Sequence, residues 1–131
     1  MTGLDTNVLI RHITQDDPVQ SPRASALIER QLTEDEPGFV SIVALAETAW
    51  VLDRAYNCTS GQIAAVIEKI LQTNTFIVEN EVEVFFAITM LKQGRATFSD
   101  ALIGALGVKA GCSVTLTFDR KAARLPGFAL A

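Results

Sequence analysis

Short apolar runs alternate along this chain with longer stretches in which apolar positions recur every three or four residues. The first pattern predicts brief buried strands and the second predicts amphipathic helices. Gly3-Leu4 is a short apolar entry that runs into Asp5-Thr6-Asn7, good helix-initiating residues, ahead of Val8-Leu9-Ile10. Asp16-Asp17-Pro18 reads as a turn. Ser21-Pro22 or Asp17-Pro18 then opens a helix through Leu27, Ile28 and Leu32, stopped by Glu36-Pro37-Gly38. Residues 39–42 read as a strand and are followed by a helix to about Tyr56, with Asn57 as its stop. A further helix starts at Thr59 or Ser60 and carries the stripe Ile63, Ile67, Ile70, Leu71. Residues 76–78 form a strand, 81–92 a helix, and Ser99-Asp100 cap a helix to Lys109 that Gly111 ends. The strand 114–118, a short helix near 121–125 and an edge strand at 128–130 complete the chain. This alternation predicts an α/β fold with a mostly parallel sheet covered on both faces.

Composition narrows the class. At 131 residues and 49% hydrophobic side chains the chain suits one compact domain, 1–131, with a core that needs no disulfide or structural metal. No stretch of roughly 18 apolar residues occurs, so no membrane span is expected. The start, Met1-Thr2-Gly3-Leu4-Asp5, has no basic leader, and Cys58 and Cys112 match no metal spacing. The expected location is therefore the cytoplasm. The net charge of −4 conceals a split. Residues 1–89 hold five cations against thirteen acids, whereas residues 90–131 hold six cations against only Asp100 and Asp119. Such a basic segment attracts a polyanion even on an acidic protein, or it is merely an uneven solvated surface.

Four acids decide the chemistry. In a parallel sheet, strands end and the following helices begin along one edge, where ligands bind. Asp5 ends the first strand, Asp119 follows the strand 114–118, and Asp100 opens the helix that feeds that strand. Glu47 lies on the order of 7 Å into the helix after strand 39–42. Each has a plainer reading. Asp5 would serve as an N-cap, Asp100 would favour a helix dipole, and Asp119 would shape a turn. Glu47 has Val43, Ala44, Trp50 and Val51 as helical neighbours, which predicts a carboxylate on a buried stripe, costly there unless it binds a metal or pairs with a cation such as Arg54 or Arg11. Together, carboxylates at one point repel unless a cation neutralises them. An oxygen-only set selects Mg²⁺ or Mn²⁺, and the natural reaction is metal-assisted attack of water on a phosphodiester. Gly104 and Gly107 share a helical face with Asp100, a bare surface that allows close approach of another element or of the substrate.

Gly3-Leu4-Asp5-Thr6-Asn7-Val8-Leu9-Ile10-Arg11, Ala46-Glu47, Phe98-Ser99-Asp100-Ala101-Leu102-Ile103 and Thr117-Phe118-Asp119-Arg120-Lys121 together resemble the PIN-domain family. Within it they are most similar to the VapC-type toxins of bacterial toxin–antitoxin pairs, over essentially the whole chain. The resemblance implies a Mg²⁺- or Mn²⁺-dependent endoribonuclease on a three-layer α/β/α fold that leaves a 5′-phosphate and a 3′-hydroxyl. It implies a metal-binding and catalytic quartet of Asp5, Glu47, Asp100 and Asp119, the last being peripheral. Thr6 and Asn7 match the polar residues after the first aspartate, and Thr117 the small hydroxyl residue before the last. The implied partners are RNA, a second copy in a homodimer, and a small VapB-type antitoxin lying over the active-site groove. Arg120 and Lys121 are expected to contact RNA phosphates without reading bases. His12 reads as a helix-surface residue, and Trp50 and Tyr56 as packing residues that otherwise stack bases.

Three other classes compete. A haloacid-dehalogenase-type phosphatase needs a second acid two residues after the first, and position 7 is Asn. A receiver domain needs an aspartate ending a middle strand, but 76–78 leads into Glu79-Asn80. Both leave Glu47 without a role. The third is a PIN-like module that binds RNA or protein without cutting.

Overall fold

The computed structural model describes Met1–Ala131. Its elements are β1 (Thr2–Gly3), α1 (Thr6–Thr14), α2 (Gln20–Ala26), β2 (Gly38–Val40), α3 (Ile42–Tyr56), α4 (Ser60–Leu71), β3 (Phe76–Val78), α5 (Glu81–Lys92), α6 (Phe98–Lys109), β4 (Thr115–Thr117) and β5 (Phe128–Leu130). All strand pairs are parallel. This is a three-layer α/β/α arrangement, as the alternation of short strands and helices predicts. No helix is long and apolar enough to cross a membrane.

The expected single sheet is divided into two ladders. Strands β1, β2 and β3 pair in that order, and β4 pairs with β5 alone. Strand β1 contributes only Thr2 and Gly3, and both pair with β2. The cover over both faces is also incomplete, since Ile77 of β3, Leu116 of β4 and Leu130 of β5 are exposed. The core lies among the helices and β2, where Leu9, Val40, Leu45, Leu52, Ile67, Val84 and Ile88 are almost fully buried.

Side-chain caps fix the helix starts, which shifts some boundaries from those expected. Ser41 accepts a hydrogen bond from the Ala44 N–H at 3.1 Å, so residue 41 opens α3 and cannot extend β2 to 42. Thr97, in extended conformation, accepts from the Asp100 N–H at 3.1 Å. The cap of α6 is therefore Thr97, and Asp100 is in the first turn. Asp17 Oδ1 accepts from the N–H groups of Val19 and Gln20, so Asp17-Pro18 is the opening that forms. Pro22 is then tolerated in the first turn of α2. Beyond α2 the chain widens into a π-turn, Leu27–Gln31, with Leu32 N–H bonded to Leu27 O. Thr59 and Gln62 form a reciprocal capping box at α4, and Asn57, left-handed at φ 53°, ends α3.

The glycine face of α6 has an occupant. The Phe128 ring lies where a Cβ on Gly104 would stand, at 2.2 Å, and Thr115 Oγ1 lies 2.8 Å from a Cβ on Gly107. The bare face thus lets the β4–β5 pair approach the helix closely.

Candidate active site

Parallel strands align the starts of the helices that follow them. Leu4 N–H bonds to Phe39 O and Glu79 N–H to Val40 O, each at 2.9 Å, so the strand ends stay in register beyond the ladder. Two positions past the paired residues Gly3, Phe39 and Ile77 come Asp5, Ser41 and Glu79. These three open α1, α3 and the turn into α5.

Asp5 occupies the N-cap position of α1, yet its carboxylate caps nothing; only its carbonyl accepts, from Val8 and Leu9. The plainer reading of Asp5 as a capping side chain is therefore not what forms. Thr6 is buried and Asn7 exposed. Neither hydrogen-bonds the Asp5 carboxylate, so any hold they have on it is through packing. Asn7 instead lines a cavity of about 560 Å³ with Arg11, Gln20 and Arg23.

Glu47 corrects the burial expectation. It is exposed, because the buried stripe of α3 is Ala44, Leu45, Thr48, Ala49 and Leu52. Val43, Glu47, Trp50 and Arg54 form the opposite face at helical spacing, and Val43 and Trp50 are exposed with it. Neither Arg54 nor Arg11 pairs with Glu47. Arg54 lies 3.9 Å from Asp53, and Arg11 lies 3.3 Å from Asp16.

Asp100 is half-buried in the first turn of α6, where an acid also favours the helix dipole. Asp119 does shape a turn: its Oδ1 accepts from Lys121 N–H at 2.8 Å and Ala122 N–H at 3.4 Å. Thr117 Oγ1 accepts from the Asp119 N–H at 3.0 Å, which fixes the backbone at that acid.

Helix α1 packs on α3, and α3 on α6, so the helix of Glu47 touches both the helix that follows Asp5 and the helix that holds Asp100. A cavity of about 380 Å³ joins Trp50 and Arg54 of α3, Thr97 and Ser99 at the start of α6, and Lys121. The turn after Glu47, the residue before Asp100 and the chain just past Asp119 thus meet around one space. Asp5 is not among its lining residues. No three Asp, Glu, His or Cys side chains stand together as a metal-holding group. The donor chemistry nonetheless suits a hard cation. All four acids offer oxygen only, and none takes part in any of the molecule's ion pairs.

Glu79 is an acid at this edge that the sequence reading left without a role. Its Oε1 accepts from the Ile42 N–H at 3.0 Å, tying β3 to the start of α3. The signal available for it is the parallel register that sets it level with Asp5. His12 is not a free surface residue either, since its Nδ1 lies 2.8 Å from Ser25 Oγ, between α1 and α2. The Tyr56 hydroxyl donates to Asp16, and its half-buried ring packs against the core.

The family described as PIN domain matches residues 4–127 of the chain. Comparison with curated proteins returns no match.

Proposed function

The chain belongs to the PIN domain family, whose members are generally divalent-metal-dependent nucleases, and on that premise we propose that it is a Mg²⁺- or Mn²⁺-dependent endoribonuclease. In this reading residues 1–131 form one cytoplasmic nuclease domain, the toxin of a bacterial toxin–antitoxin pair. The observation that carries the chemistry is the freedom of Asp5. It stands at a helix start with no capping bond and no cation, which suits a ligand better than a structural part.

Asp5, Glu47 and Asp100 would hold the metal, with Asp119 as the peripheral fourth. A bound divalent ion supplies Lewis-acid polarisation of the phosphate and a more acidic water. Thr117 keeps Asp119 oriented through its backbone bond, and Thr6 and Asn7 shape the turn that presents Asp5. Arg120 and Lys121, both exposed, contact RNA phosphates and position the strand without selecting bases. Hydrolysis in this sense leaves a 5′-phosphate and a 3′-hydroxyl. Val82, Phe85 and Phe86 are exposed on one face of α5. That apolar face supports a second copy of the chain or a small VapB-type antitoxin as partner.

Purified protein, stripped of any bound antitoxin, is incubated with a mixed RNA pool in Mg²⁺, Mn²⁺ or EDTA. Discrete metal-dependent cuts are expected. Asp5→Asn and Glu47→Gln each lower the rate at least about 100-fold, as loss of several kcal/mol of charge stabilisation requires. Absence of cuts, together with no metal binding by calorimetry, overturns the reading and leaves a non-cleaving module.

A further inference from the structure

Trp50 is 60% exposed, unusual for the only tryptophan of a chain with a large apolar core. It stands one helical turn beyond Glu47 on the same face of α3. Its ring borders the cavity that also holds Ser99, next to Asp100, and Lys121, two residues past Asp119. The Arg54 guanidinium lies 5.8 Å from the ring centroid.

From this arrangement we infer that Trp50 is a stacking platform for one unpaired RNA base beside the acidic site, a positioning and specificity residue. The inference rests on the nuclease reading and deepens it. An indole gives any base a flat apolar face, and stacking of this kind is strong and tolerant of sequence. The neighbouring cations suit the same ligand. Arg54 lies near the ring as a second planar, charged partner, and Lys121 can meet a backbone phosphate while the base lies on the indole. A base inside a duplex is stacked on both faces by its neighbours, so the platform selects single-stranded segments over duplex. Trp50 brings a broad aromatic surface to the cavity wall, and its place between the turn after Glu47 and the start of α6 sets the stacked nucleotide next to the bond to be cut.

Because Trp50 is the sole tryptophan, its fluorescence reports the site directly. The full chain is titrated in EDTA, where nothing is cut, with oligouridylate, an abasic oligomer of equal length, and an RNA duplex. Oligouridylate is expected to quench the emission and the abasic oligomer to leave it unchanged. By anisotropy with labelled oligouridylate, Trp50→Ala binds at least about fivefold more weakly. Trp50→Phe recovers most of the loss, and Val19→Ala, an exposed apolar residue just before α2 and away from the cavity, binds as wild type. Equal quenching by the abasic oligomer, or unchanged affinity in Trp50→Ala, overturns the inference. So does a Trp50→Ala variant that changes oligomeric state in sedimentation but not RNA affinity, which would make the ring a protein contact. The two readings fail separately. Quenching without metal-dependent cuts removes the nuclease and keeps the platform; cuts with unchanged binding in Trp50→Ala remove the platform and keep the nuclease.

Discussion

Asp16 accepts hydrogen bonds from the Tyr56 hydroxyl at 2.5 Å and from Thr14 Oγ1 at 2.7 Å, and these hold its carboxyl below the ordinary value of 3.8. Asp17 is lowered as well, by the N–H groups of Gln20 and Val19 that it caps. A carboxyl whose folded pKa is depressed stabilises the native state fully above its unfolded value and loses that contribution as pH falls through the folded one. The acid limb of the stability profile should therefore steepen below about pH 3.8. Tyr56→Phe removes the largest contributor, so Asp16 is expected to titrate closer to 3.8 when followed by NMR. An unmoved titration would mean that Tyr56 does not hold it. At this scale the sequence was a partial guide. It supplies four candidate acids, because residue types are written directly in the chain, but it misjudged the surroundings of Glu47. Apolar neighbours at i−4 and i+3 imply a buried stripe only when the helix is covered on that side, and α3 leaves Val43 and Trp50 open.

Helix α6 shows what a cap and two glycines do. Its Thr97 cap sets the frame in which Asp100 falls in the first turn and Gly104 beneath the Phe128 ring. Adding a methyl at position 104 would gain about 1 kcal/mol in helix propensity but overpack the ring contact at a cost of about 1–3 kcal/mol. Gly104→Ala is expected to be destabilised by up to about 2 kcal/mol in denaturant unfolding, with loosened β5 amide protection in hydrogen exchange. A stabilised variant would show that the ring yields freely. Element types and order were legible because period and punctuation are local properties: Asn57 and Gly111 do end their helices. Boundaries moved where a side-chain bond decided between neighbours, as Thr97 did over Ser99 and Ser41 over a longer strand.

Over the whole molecule the charge split becomes functional if the basic segment meets RNA. Affinity should then fall with salt, each lost phosphate contact reducing the slope of log K against log salt by roughly 0.7 for a single strand. Arg120→Gln and Lys121→Gln, measured singly in fluorescence-anisotropy titrations over a salt series, should each lower the slope by about that amount without altering base preference. A slope unchanged in both would place the RNA elsewhere. The sequence by itself determined the α/β class, the order of its elements, the acids available and the basic final third, since composition and periodicity are written residue by residue. Only the tertiary structure decided that Asp5 caps nothing, that Glu47 and Trp50 face solvent, and that β4 pairs with β5 rather than joining the larger sheet. It also decided that α6 opens against the turn of α3 just beyond Glu47. Those facts depend on which surfaces remain uncovered once helices pack, a property of contacts between residues far apart in the chain that no local pattern records.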